Sequence, residues 1–224
     1  LNNKTKKTIL INGYDKYFDS SNFLAKEEHF LFNNKYMNLL FVSRLVEGKG
    51  CLQLIEALNK LIKSNLINLK LIIIGDGPLK NEMIQFLHEN KIEKYVKFAG
   101  SMEHKEVVKC YKFSDVYISL NEMGSLINSN LEAIKSNNCM IIPESLDEFH
   151  IDKYTDTLIP EDCVIRIPRL NISDNLFEKI QFLYNERSQI SKIKQNIESL
   201  DKNFLIPWEQ RIFKEYDIIK NLFK

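Results

Sequence analysis

Short, largely apolar runs, each leading into a stretch of helical periodicity, constrain this chain more than any other feature. The runs are Asn38–Ser43 (NLLFVS), Leu69–Ile74, Tyr95–Ala99, Val116–Leu120 and Cys139–Ile142. Between the first two, Leu54, Ile55, Leu58, Leu61 and Ile62 fall on one helical face. Leu79, Met83, Phe86 and Leu87 do the same within Leu79–Asn90, and Lys105–Phe113 reads as a further helix. A strand that is apolar on both faces has to be covered on both faces. Alternation with amphipathic helices therefore predicts an α/β fold with a parallel sheet. Right-handed crossovers make such a sheet doubly wound, and ligands then bind at the carboxyl ends of its strands.

The flanks are less regular. Thr8–Asn12 reads as a short strand, Gly13-Tyr14-Asp15 as a turn and Lys16–Tyr36 as a connecting segment. Beyond Pro143, Glu144–Asp162 is polar and reads as loop-rich, with Cys163–Ile167 as a last strand. Leu176, Phe177, Ile180 and Leu183 mark a helix, Gln189–Leu200 another, and Pro207 suits the first turn of a final helix, Trp208–Phe223. The expected organisation is an opening strand and connector over 1–37, the α/β domain over 38–206 and a trailing helix over 207–224.

Composition narrows the function classes. With 44% apolar and 27% charged residues the chain has enough material for a core. A net charge of +1 supplies no field for nucleic acid or an anionic membrane. No apolar run approaches the ~20 residues of a membrane span. The four cysteines, Cys51, Cys110, Cys139 and Cys163, share no metal-ligand spacing and read as reduced thiols packed as small hydrophobes in a cytoplasmic protein. The chain starts at Leu1 without a signal peptide, and we expect it to be a fragment with something upstream.

The residues just after each strand carry the chemistry. After the first strand come Arg44 and, at a helix start, Lys49-Gly50. Two cations there oppose the helix dipole unless an anion lies between them, and a diphosphate would serve. The alternative is that Arg44 pairs with Glu47 and Lys49 is solvated. After the second comes Gly75-Asp76-Gly77-Pro78, a tight turn; the third glycine of a dinucleotide fingerprint is replaced by Lys80, so a nicotinamide enzyme is a poorer fit than a purely structural turn. After the third, His104 is a candidate general base or, more simply, a helix cap. His29, His88 and His150 stand alone, and nothing suggests a metal.

The fourth strand leads into SLNEMGSLINSNLEAI, Ser119–Ile134: strand end, small polar loop, helix start. That geometry offers backbone N–H groups to an anion. A carboxylate one turn into the helix, Glu132, does not fit the same anion and needs a partner of its own. Glu122 in the loop makes a paired-carboxylate hydrolase conceivable, although spacing alone does not give their separation.

Taken together, these segments resemble the family 4 glycosyltransferases, retaining enzymes of the GT-B fold. Asn12–Phe18 (NGYDKYF) is similar to the NGxDxxxF motif of that family, and Phe41–Gly50 (FVSRLVEGKG) to its FxGRLxxxKG segment. Gly75-Asp76-Gly77-Pro78 matches its GDGP turn and Leu131-Glu132-Ala133 the end of its E-x7-E helix, in order and spacing from about Thr8 to Cys139. The resemblance implies the Rossmann-like, donor-binding C-terminal half of a GT-B enzyme, with a closing helix near Trp208-Glu209-Gln210-Arg211.

It also implies roles. Arg44 and Lys49 would bind the diphosphate of a nucleotide-sugar donor and stabilise the leaving group, and Glu132 would take the ribose hydroxyls. Gly100, Ser101 and Met102 would lie against the base. Gly124, Ser125, Leu126 and Asn128 would turn amides to the phosphates. No metal or cofactor is implied. The acceptor, a carbohydrate or lipid-linked hydroxyl, would be held largely by an N-terminal domain of the same polypeptide, and the whole protein would be cytoplasmic or peripheral at the inner membrane face. The chain departs from the pattern at Gly124, which stands where the first glutamate belongs; Glu122, two positions earlier, is its candidate replacement. That departure keeps a non-catalytic nucleotide- or protein-binding module open.

Overall fold

The computed structural model describes residues 11–14, 31–146, 152, 154–200 and 202–222. Six parallel strands form one sheet: β1 (Met37–Val42), β2 (Leu69–Ile74), β3 (Val96–Gly100), β4 (Val116–Ile118), β5 (Cys139–Pro143) and β6 (Ile165–Ile167). Their order, β3-β2-β1-β4-β5-β6, reverses its direction of growth between β1 and β4. A crevice opens there at the carboxyl ends of the strands.

The helices α1 (Cys51–Lys63), α2 (Lys80–Glu89), α3 (His104–Phe113), α4 (Asn128–Lys135), α5 (Thr155–Leu158), α6 (Ile172–Asn185), α7 (Arg187–Ser199) and α8 (Trp208–Leu222) complete the order. Successive strand residues point to opposite faces, and the cores divide accordingly. Met37, Leu39 and Phe41 of β1 join Leu71 and Ile73 of β2 beneath α1, α2 and α6. Leu40, Ile72, Tyr117, Met140 and Ile142 join Val108, Tyr111, Leu131 and Ile134 beneath α3 and α4. This is the two-faced parallel sheet that the apolar runs predict, Rossmann-like as the resemblance implies and followed by the trailing helix expected after Pro207. All four cysteines are buried in these cores and none is in a disulfide; burial pushes Cys139 up to about 12.

Several boundaries differ from expectation. The fourth strand ends at Ile118 rather than Leu120, because Leu120 leaves the ladder and fills the space beside Gly50. The last strand begins at Ile165, since Cys163 closes a 3-10 turn on the carbonyl of Pro160. Within the expected loop 144–162 lies the short helix α5. Of the expected strand Thr8–Asn12, residues 8–10 lie outside the described residues, and Ile11 and Asn12 are in no strand. Asp15–Phe18 of the first motif also lie outside them. Tyr14 instead makes an isolated bridge to Pro207. It accepts from Trp208 N at 3.1 Å and donates to Ile206 O at 3.0 Å, while Arg211 Nε donates to Ile11 O at 3.1 Å. The first described segment is thus clasped to the start of α8. Among the described residues no helix is long and apolar enough to cross a membrane.

Candidate functional site

A cleft of about 610 Å³ occupies the switch point, lined by the ends of β1 and β2, the segment after β3, the start of α3 and α4, and Asn12. Its near wall is the loop after β1, which the GDGP turn holds from beneath. Ser43 N donates to Ile74 O, Leu45 N to Asp76 O and Leu79 N to Leu45 O, while Gly75 N reaches Gly100 O at 2.8 Å. Gly75 has φ 125°, and a Cβ there would sit 1.9 Å from the carbonyl oxygen of Ser43. The turn is therefore structural, and what it supports is Arg44.

Arg44 and Lys49 both line the cleft. Among the described residues neither has a carboxylate within ion-pair distance, so the pairing of Arg44 with Glu47 is not formed. Lys49 Nζ donates instead to Asn121 Oδ1 at 2.7 Å. Burial, and then the guanidinium of Arg44, lower its pKa below the usual lysine value. The cleft thus holds two cations that oppose each other, an arrangement that an anion between them would relieve.

The far wall is α4. Its backbone bonds begin with Asn130 N and Leu131 N, both donating to Ile127 O. The amides of Asn128 and Ser129 stand ahead of them at the helix start, where no intrahelical partner exists. Asn128 and Ser129 line the cleft, and Asn128 Oδ1 accepts from Asn12 Nδ2 at 2.9 Å. One turn further, the Glu132 side chain is only 8% exposed. Its Oε1 lies 3.0 Å from His104 Nε2 and its Oε2 lies 3.4 Å from the hydroxyl of Tyr111. Burial, with Tyr117 and Glu132 alongside, pushes the Tyr111 hydroxyl well above its usual pKa, so it remains a donor. It also bonds Ser129 O at 2.9 Å, tying α3 to α4. Ser101 and Met102 close the end of the cleft beneath β3.

The structure thus brings Arg44, Lys49, Ser101, Met102, Asn128 and Glu132 together. Gly100 lies just behind, its carbonyl engaged by Gly75. Gly124, Ser125, Leu126 and Glu122 are not on the cleft surface. Asp152 takes the Ser125 amide, Asn121 Nδ2 donates to Gly124 O, and Asn130 Nδ2 donates to Ser125 O at 2.9 Å. Arg169 completes the clasp, with Nη1 on Glu122 O at 3.0 Å and Nε on Glu144 O at 2.7 Å. The turn at Glu122 is thereby directed past Gly48, where its side chain lines two other hollows with Gln53. At Gly124 φ is 119°, which L residues rarely adopt, and a Cβ would stand 3.0 Å from Asp152 Oδ1, so a longer side chain would be strained and would have to displace that carboxylate.

Asn12 and Tyr111 join the site without having been singled out as site residues, and His104 faces the cleft rather than only starting a helix. Asn12 belongs to the NG motif and His104 to the loop after the third strand, so their positions were usable signals. Tyr111 reads only as an apolar residue of a helical face. Among the described residues no group of His, Cys, Asp and Glu is arranged to hold a metal ion.

Comparison with known proteins gives a consistent picture. The family model described as glycosyl transferases group 1 matches residues 23–144. An uncharacterized glycosyltransferase of Methanocaldococcus jannaschii is 29% identical over 170 residues, which cover 74% of this chain and 42% of that protein. Among solved structures, a glycosyltransferase from Rickettsia africae superposes with a TM-score of 0.75 at 19% identity, over 97% of this chain and 57% of that one. The pneumococcal O-GlcNAc transferase GtfA, solved in complex with UDP and GlcNAc, does so with a TM-score of 0.68 at 19% identity, over 96% of this chain and 38% of that one. The chain therefore spans under half the length of the first curated relative it matches.

Proposed function

Because the chain belongs to the group 1 glycosyl transferases, we propose that it is the donor-binding, C-terminal half of a retaining family 4 enzyme that moves a hexosyl group from a nucleoside-diphosphate sugar to an acceptor hydroxyl. The observation that carries this reading is the opposed pair Arg44 and Lys49, in one cleft with the start of α4 and the buried carboxylate of Glu132. A diphosphate between the cations and the first amides of α4 relieves their repulsion, and the ribose reaches Glu132. The base lies toward Ser101 and Met102. UDP is the donor nucleotide we favour, supported by its presence in the pneumococcal structure.

Charge builds on the diphosphate as the glycosidic bond breaks. Fixed cations and helix amides aimed at that charge lower the barrier with no protein nucleophile. They also meet the need that a divalent cation would otherwise fill, so no metal is invoked. Residues 38–206 form the donor domain. The acceptor, a carbohydrate or lipid-linked hydroxyl, is met by a preceding domain of the same polypeptide, and the fragment alone is inactive. The exposed apolar side chains of α8, Trp208, Ile212, Phe213, Tyr216 and Ile219, support a crossing of this helix to that domain. We place the whole protein in the cytoplasm.

Titrating the chain with UDP and with uridine tests the site. Arg44→Ala and Lys49→Ala are each expected to weaken UDP by roughly tenfold or more, the worth of a hydrogen bond to a charged group, and to leave uridine nearly unchanged. Equal losses for both ligands overturn the assignment. One observation favours a second reading, a non-catalytic nucleotide-binding module: Gly124 offers no carboxylate, and its φ of 119° suits glycine rather than a glutamate. Transfer from a UDP-sugar by the full-length protein, abolished in Glu132→Ala, decides against it.

A further inference from the structure

We propose that His104 is a positioning residue that sets the cleft's preference for ribose over deoxyribose by fixing the Glu132 carboxylate. This rests on Glu132 being the ribose-binding group, the role proposed for it under the donor-site reading. Glu132 enters from α4 with a side chain only 8% exposed, so little water can orient its carboxylate. A buried carboxylate settles on the donors around it, and two of them here, His104 and Tyr111, come from α3. His104 and Tyr111 are separated by two helical turns and so share a face.

The two contacts are unequal. Oε2 meets the Tyr111 hydroxyl at 3.4 Å, and that hydroxyl has a nearer acceptor in Ser129 O at 2.9 Å. Its single proton serves the carboxylate poorly. Oε1 meets His104 Nε2 at 3.0 Å, an ordinary N–H···O⁻ length, and His104 is itself 43% exposed on the cleft. The histidine bond is thus the firmer restraint on the carboxylate plane.

A carboxylate oxygen accepts two hydrogen bonds. With one lone pair of Oε1 directed at the imidazole, the plane of the group is set and the other can receive a ribose hydroxyl. Without His104 the carboxylate loses that restraint and can turn toward Tyr111, and a hydroxyl arriving from the cleft finds an acceptor that must first be reoriented. The 2′-hydroxyl is the part of the ligand whose worth depends on that preorganisation. A 2′-deoxynucleotide lacks it, keeps only the 3′-hydroxyl, and so loses less when His104 is removed.

The test is calorimetric titration of the full chain with UDP and with 2′-deoxy-UDP. The wild type is expected to prefer UDP by about tenfold, the factor one hydrogen bond to a charged group provides. His104→Ala should erase most of that preference by weakening UDP several-fold more than 2′-deoxy-UDP. His104→Gln, whose side-chain amide can stand where Nε2 stood, should restore it, and thermal melts of the variants report folding separately. Equal weakening of both ligands in His104→Ala, or an unchanged preference, overturns the positioning role. Failure of the donor-site reading looks different: the wild type then binds neither ligand, or Glu132→Ala keeps the wild-type preference.

Discussion

The loop after β1 is held mainly by backbone bonds to the GDGP turn, whereas the loop after β4 is held mainly by side chains that reach in from residues 152 and 169. The two loops also join each other through Glu122 N on Gly48 O at 2.9 Å and Lys49 Nζ on Asn121 Oδ1 at 2.7 Å. The first sits on the GDGP turn through main-chain bonds between neighbouring strands, with Gly75 letting the two chains touch. The second is clasped by Asp152 on the Ser125 amide and by Arg169 on the carbonyls of Glu122 and Glu144. Both loops flank one cleft, yet only the first places its charged side chains on the cleft surface. A loop fixed by its own backbone presents its side chains to a ligand. A loop whose amide and carbonyls are already engaged from behind leaves the ligand only the helix at its end.

The sharpest way to break the contrast is Gly75→Ala. Backbone strain at a φ that L residues avoid costs roughly 1–3 kcal/mol, and overpacking against Ser43 adds roughly 1–3 kcal/mol. A lowered urea midpoint and a matching loss of UDP affinity are expected together, since Arg44 moves with the loop. A stable variant that still bound UDP would show that the turn does not set the near wall.

Asp152→Ala probes the other loop. It leaves the buried Ser125 amide without its acceptor and should cost roughly 1–3 kcal/mol of stability. UDP affinity should change by less than about threefold, because the diphosphate contacts assigned to this wall come from the start of α4. A large selective loss of UDP over uridine would restore Gly124–Leu126 as a phosphate cradle.

The smallest expected effect concerns pH. The Lys49 ammonium has a lowered pKa, so it loses its proton at a lower pH than an ordinary lysine. A bound diphosphate favours the charged form. Affinity for UDP should therefore fall as pH rises through that lowered value, and only partway, because Arg44 keeps its charge. Lys49→Arg should remove the dependence; a wild-type affinity flat up to the pKa of a free lysine would mean that Lys49 does not contact the phosphates.

The same contrast explains what could be read from the sequence. β2 matches its apolar run residue for residue, because a central parallel strand must be apolar on both faces. Arg44 and Lys49 were legible because the segment joining β1 to α1 folds locally, within a few residues of a strand and a helix start. Leu120 was misassigned to a strand because apolar character reports burial and not the partner. Asp152 and Arg169 carry no local signal. Their role depends on where a distant loop is brought by the sheet, and with it the fate of Glu122, Gly124 and Ser125. His104 was visible but ambiguous, since a residue at a helix start is a cap or a ligand according to what the next helix places opposite it.

The clasp between Ile11 and Arg211 joins residues 200 positions apart. Closing so long a loop adds little to the entropic cost of a shorter one, but contacts of high sequence separation form late. Each strand of the sheet pairs across a single crossover or, between β1 and β4, across the segment that has just been completed. Tyr14, by contrast, has no place to bridge until Pro207 has been made and α8 begins. Asn12 reaches Asn128 from that same clasped segment. In the order of assembly, then, Asn12 is expected to take its place at the cleft after the layers that carry both walls have folded.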